Sequence, residues 1–162
     1  MALDVLAAIV DEAHELGRPV YTHIHTAAEA LDAVRAGVDG IEHVPAGPRC
    51  AEALEAMAEA GLYWTPTLSV LDAIAHGGDW PAFVRDLDPT GTLPPSVFDD
   101  LASVPVSERR LRRAAGARAV LDALAAVDLT ALAAAGLRIA AGTDAGNTAT
   151  PHALTLHHEL LL

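Results

Sequence analysis

Lysine is missing altogether from this 162-residue chain, whose ten basic side chains are all arginine. That excludes a lysine Schiff base, a P-loop lysine and a carboxylated lysine bridging two metal ions as contributions of this sequence. Cysteine occurs once, at Cys50. An intrachain disulfide and a thiolate-rich zinc site are therefore both excluded, and the thiol is expected to be buried or neutral. Positive charge is also scarce: 22 acidic residues give a formal net charge of -12 and a pI near 4.8. Nucleic acid and anionic membrane surfaces need clustered positive charge to displace counterions, so neither is an expected partner. No apolar run approaches the roughly 20 residues that a membrane helix needs. The segment after Met1 carries Asp4, Asp11 and Glu12 in place of a basic leader. The expected compartment is the cytoplasm, with the natural N-terminus expected upstream.

What the chain has in quantity is hydrophobic residues, 52% of the total, enough for one domain with a substantial core. They are organised by a recurring grammar of helix, glycine and short strand. Leu3, Val5, Leu6, Ile9, Val10, Ala13 and Leu16 fall at helical spacing, and Gly17 stands where a left-handed cap would sit. An extended segment from Arg18 then runs into His23, Ile24 and His25. The pattern repeats with a helix over Ala27 to Ala36, a stop at Gly37 and a strand over Val38 to Ile41 that reaches Glu42 and His43. A third copy has a helix over Ala51 to Ala60, Gly61, and a strand over Leu62 to Thr65 that Pro66 ends. The fourth is Leu129 to Ala135, Gly136, and Leu137 to Ala141 before Gly142, Thr143 and Asp144. The strands are too apolar to alternate, which predicts parallel strands covered by helices and an α/β class.

Between the third and fourth copies, Gly77, Gly78, Pro81, Pro89, Gly91, Pro94 and Pro95 predict a lid or loop insertion over about 71–107. A helix is expected over Glu108 to Val127, with Arg109, Arg110, Arg112 and Arg113 near its start as a solvated face or ion pairs, and no function attaches to that run. One domain over 1–162 accommodates all of this.

Polar residues gather where each predicted strand ends, which is where parallel α/β folds build sites. Imidazole and carboxylate are the usual ligands of a divalent ion that keeps a position open for water. His23, His43 and Asp144 supply that set from three strand ends, and barrel closure would aim them into one mouth.

The stretches Pro19-Val-Tyr-Thr-His-Ile-His25, Ala36-Gly-Val-Asp-Gly-Ile-Glu-His43 and Ala141-Gly-Thr-Asp-Ala-Gly-Asn147 resemble the amidohydrolase superfamily, nearest its imidazolonepropionase-like and Xaa-Pro-dipeptidase-like hydrolases. The likeness spans nearly the whole chain and weakens from about Leu71 to Ser107. It implies a partial TIM (β/α)8 barrel carrying approximately strands 5 to 8. His23 would end the fifth strand and His43 the sixth, both as metal ligands. Asp144 would end the eighth as both ligand and catalytic general base, so that activated water attacks an amide or cyclic amide carbon. The resemblance further implies a divalent metal, zinc by default, with one or two ions in the complete protein, and a small-molecule substrate. The family's first-strand His-x-His pair and fourth-strand bridging residue have no counterpart here, so the chain is expected to be a fragment.

An alternative makes His23-Ile24-His25 itself the first-strand pair, since residues two apart on a strand point the same way. His25 otherwise reads as a group facing substrate or as a hydrogen-bond partner of a ligand. Thr67 and His152 are further candidates for substrate contact, though a turn or capping role serves Thr67 equally. A lone histidine at a strand end is more often a hydrogen-bonded structural residue than a ligand, and only the matching order of three reverses that. Glu42 is expected in an ion pair or hydrogen bond, Thr143 as an orienter of Asp144, and His14 and His76 as background. Two rival functions stay open: a deaminase of the same superfamily, and a non-catalytic half-barrel that forms a homo-oligomer or takes a complementary half-barrel over its open strand edges.

Overall fold

The computed structural model describes residues 2–162. In chain order its elements are α1 (Leu3–Glu15), β1 (Tyr21–His23), α2 (Ala27–Ala36), β2 (Gly40–Glu42), α3 (Cys50–Glu59), β3 (Tyr63–Thr65), α4 (Leu68–Ala75), α5 (Trp80–Leu87), α6 (Pro95–Ser103), α7 (Glu108–Leu124), α8 (Leu129–Ala134), β4 (Arg138–Ile139) and α9 (Leu154–Glu159). They form two compact units, one made of the chain through Pro66 together with Leu124–Ala140, the other of Thr67–Ala123 and Ala141–Leu162.

The first unit is a four-stranded parallel sheet in the order β1-β2-β3-β4 with helices between successive strands. Tyr21 pairs with Gly40, Gly40 with Tyr63 and Tyr63 with Arg138, so the strands start level and their C-terminal ends lie side by side. Sequential parallel order with helical crossovers is that of a (β/α) barrel, present here as four of its strands. The helix boundaries follow from local chemistry. Thr26 accepts from the Glu29 N–H at 3.2 Å while the Glu29 carboxylate accepts from the Thr26 N–H at 2.8 Å, a reciprocal cap that starts α2. Gly37, at φ +79°, ends it in the left-handed conformation that a side chain would disfavour. Ile41, Leu54, Met57 and Trp64 are fully buried between the sheet and its helices, and each such side chain contributes roughly 1.5–3 kcal/mol. Cys50 lies among them, and burial pushes its thiol pKa up, as expected of an inert thiol.

The second unit corrects the reading of the insertion as a loop. Its breakers separate short helices instead of precluding them: Pro81 and Pro95 occupy the first turns of α5 and α6, where a missing N–H costs nothing. Asp79 starts α5 by accepting from the Ala82 N–H at 3.1 Å. Ala73, Phe83, Val84 and Ala149 form this unit's core, with Trp80, Leu87, Leu93, Phe98 and Leu101 packed against it. Among the described residues, no helix is long and apolar enough to cross a membrane.

Candidate functional site

Two of the three expected metal ligands belong to the first unit. His23 is the last residue of β1 and His43 follows the last residue of β2, so the parallel register sets them at neighbouring strand ends. Their rings lie 4.2 Å apart between centroids and 76° to each other. His25 joins them: its Nε2 is 2.9 Å from His23 Nε2, one ring carrying the proton that the other accepts. Two imidazoles thus flank that of His23, which is exposed to solvent together with His25. His25 is placed as a hydrogen-bond partner of His23.

Backbone geometry sets His43 apart. Its φ of +76° is a left-handed conformation that costs a side-chain-bearing residue roughly 1–2 kcal/mol. Two flanking bonds hold it there: the His43 N–H donates to the Thr65 carbonyl at 2.9 Å, and the Trp64 indole N–H donates to the His43 carbonyl at 2.8 Å. The chain leaves β2 in a sharp turn while the His43 ring stays on that of His23.

Asp144 and His152 belong to the second unit. Asp144 is also left-handed, at φ +50°, and its carboxylate is exposed and makes no hydrogen bond among the described residues. The turn is built around it. The Thr143 hydroxyl accepts from the Ala145 N–H at 3.2 Å, and the Asn147 amide donates to the Asp144 carbonyl at 3.0 Å. Thr143 therefore orients the backbone on either side of Asp144. Exposed His152 stands beside Gly146, its Nε2 3.8 Å from where a β-carbon on that glycine would be.

Thr67, in the second unit, is buried at φ +54° and precedes α4 without capping it. That role falls to Glu159, which accepts from the Leu68 N–H at 2.9 Å and the Ser69 N–H at 2.6 Å. The ion pair or hydrogen bond expected of the Glu42 side chain is not formed among the described residues; its strand neighbours are His23 and Thr65.

His76, read from sequence as background, converges with His158 on buried Asp72. His158 Nε2 donates to Asp72 Oδ2 at 2.8 Å, while His76 Nδ1 and Arg118 Nη2 both lie 3.3 Å from Oδ1. The available signal was the i, i+4 spacing of Asp72 and His76 on one helix. Phe83 stacks on His76 and meets the edge of His158, which completes a knot joining α4, α5, α7 and α9.

The donor set at His23 suits a divalent ion in kind, since neutral imidazole is a common ligand. No group of three or more histidine, cysteine or acidic side chains is arranged to hold a metal among the described residues.

The family model described as the amidohydrolase family matches residues 2–162. Among solved structures, the chain is similar to a Xaa-Pro dipeptidase with methionine bound in its active site, at 24% identity over 99% of this chain and 32% of that one, with a TM-score of 0.56. It is also similar to a prolidase complexed with N-methylphosphonate-L-proline, at 28% identity over 89% of this chain and 28% of that one, with a TM-score of 0.50. The chain spans less than a third of the length of either protein. Comparison with curated proteins gives no match.

Proposed function

The chain belongs to the amidohydrolase family, and on that premise we propose that it carries part of the active centre of a metal-dependent hydrolase of carbon–nitrogen bonds, with a peptide-like or cyclic amide as substrate. The observation that carries this reading is the gathering of His23, His25 and His43 at the ends of two adjacent parallel strands, with the left-handed His43 backbone fixed by Trp64. Non-glycine residues in sparsely populated backbone conformations concentrate at functional sites. Likeness to a prolidase supports an amide substrate that includes an imino acid.

In this proposal His23 and His43 hold the ion, zinc being the default. His25 fixes the orientation of the His23 ring through their hydrogen bond, as outer partners of metal-binding histidines do. A bound divalent ion supplies Lewis acidity and lowers the pKa of water toward neutrality. Asp144 takes the proton as general base; its carboxylate is exposed and, among the described residues, makes no hydrogen bond that would compete with that task. His152 and Thr67 are proposed substrate contacts.

The test is elemental analysis of zinc bound to the purified chain, with His23→Ala, His43→Ala and Asp144→Asn variants checked for folding by circular dichroism. Zinc retained by the wild type and lost from both histidine variants supports the centre. Equal zinc in wild type and histidine variants overturns it. For the aspartate, the zinc-supplemented chain is assayed on Xaa-Pro dipeptides, where Asp144→Asn should lower kcat by at least about a hundredfold.

A second reading, the self-associating half-barrel, is favoured by one observation. Within the first unit β1 and β4 are both edge strands, and Leu3, Val5, Ile9 and Leu16 of the α1 region are exposed. Open edges beside apolar surface invite pairing with another chain. Light scattering that gives a monomer at all concentrations removes this reading.

A further inference from the structure

The arginine run at the start of α7, to which the sequence attached no function, lines a pocket within the second unit. Its volume is about 320 Å³, within the range of small-ligand sites, and its walls include Ile74, Trp80, Ser107, Arg109, Arg110 and Arg113. The arginines are not equivalent. Arg112 points elsewhere and pairs with Glu108 at 3.2 Å. Arg110 lies 3.5 Å from the centre of the Trp80 ring, gives Nη1 to the Val104 carbonyl at 2.8 Å, and has a buried Nε without a hydrogen-bond partner. The Ser107 hydroxyl accepts from the Arg110 N–H at 3.2 Å, which holds the first turn of α7 against the pocket. Arg109 and Arg113, both exposed, make no hydrogen bond or ion pair among the described residues. Three arginines thus line one largely apolar pocket in a protein of net charge -12. An anion bound there would gain charge-assisted hydrogen bonds from arginine. With Arg110 engaged by Trp80 and a backbone carbonyl, two planar forks remain, a match for the two oxygens of one carboxylate.

We propose that this pocket binds a small organic carboxylate, its charged end between Arg109 and Arg113 and its apolar body against Ile74 and Trp80. The probe is benzoate, titrated into the full chain while tryptophan fluorescence and calorimetric heat are followed. Benzamide serves as the uncharged match and phenylphosphate as the alternative anion. Expected are saturable benzoate binding, affinity reduced about tenfold or more in the Arg109→Gln/Arg113→Gln double variant, no change in His23→Ala, and weaker binding of both comparison compounds. The proposal is overturned if benzoate does not saturate by either readout, if the double variant binds it as tightly as wild type, or if benzamide binds equally well. Tighter binding of phenylphosphate also overturns it and makes the pocket a phosphate site. Both substituted side chains are solvent-exposed, so circular dichroism should show the double variant folded; the dependence on Arg109 and Arg113 separates this pocket from the histidine cluster.

Discussion

The Trp64 indole N–H donates to the carbonyl of His43, a 2.8 Å bond from a fully buried ring to a residue at φ +76°. The core of the first unit thereby holds the strand-end turn that carries a proposed ligand. Trp64→Phe keeps most of the apolar volume but leaves that carbonyl without its donor. The expected destabilisation is about 1–3 kcal/mol, with a small cavity adding to it. Zinc affinity should fall about 10–100-fold, as when an orienting partner is lost. Urea unfolding and competition with a chelator read the two effects separately. A loss of stability with unchanged zinc affinity would show that the indole serves packing alone.

Glu159 does for α4 what Thr67, at the cap position, does not. Its two oxygens accept the first N–H groups of the helix, and the group is buried. Glu159→Ala leaves two donors unsatisfied and removes negative charge from a helix N-terminus, an expected cost of about 2–4 kcal/mol. Glu159→Gln keeps one acceptor oxygen and should recover part of it. Equal urea midpoints for the two variants would contradict this assignment.

The contrast between the two units shows what the sequence makes legible. Thr26, Gly17, Gly37 and Gly61 act on their own neighbours, so the helix boundaries of the first unit can be read locally. A parallel register then brings His23 and His43 together without further information. Glu159 reaches Leu68 and Ser69 across about ninety residues, and His158 reaches Asp72 across nearly as many. Nothing in the local pattern announces such pairings. Gly and Pro density in the insertion points to a lid or loop if proline only stops helices, whereas Pro81 and Pro95 stand in the first turns of helices.

Gly136 and Gly17 separate backbone strain from steric conflict. Gly136 has φ +122°, and a β-carbon there would lie 2.7 Å from the Ala58 carbonyl oxygen, an atom fixed by α3. Gly17 has φ +66° with open space around it. Gly17→Ala should cost about 1 kcal/mol for the left-handed conformation alone. Gly136→Ala adds the clash and should cost more than about 3 kcal/mol. Thermal unfolding of the pair checks the order. Equal costs would mean that α3 yields at Ala58.

Asp39 joins three segments at the N-terminal end of the sheet, away from the strand ends that carry the histidines. Its Oδ2 accepts from His14 Nε2 at 2.9 Å and from the Val20 N–H at 2.7 Å. The His14 hydrogen bond first, and the Val20 N–H second, hold its carboxyl below the usual aspartate value. A depressed folded-state pKa makes the carboxylate stabilising above the unfolded value of about 3.9, and that contribution disappears as pH falls through the folded value. Wild type should therefore exceed Asp39→Asn by a constant margin from neutrality down to about pH 4, and the margin should shrink at lower pH. Because the side chain is partly exposed, solvent screening keeps the margin small. Urea midpoints of both proteins across the acid range provide the measurement. Curves that stay parallel to the lowest pH would show that Asp39 acts through shape and not through its charge.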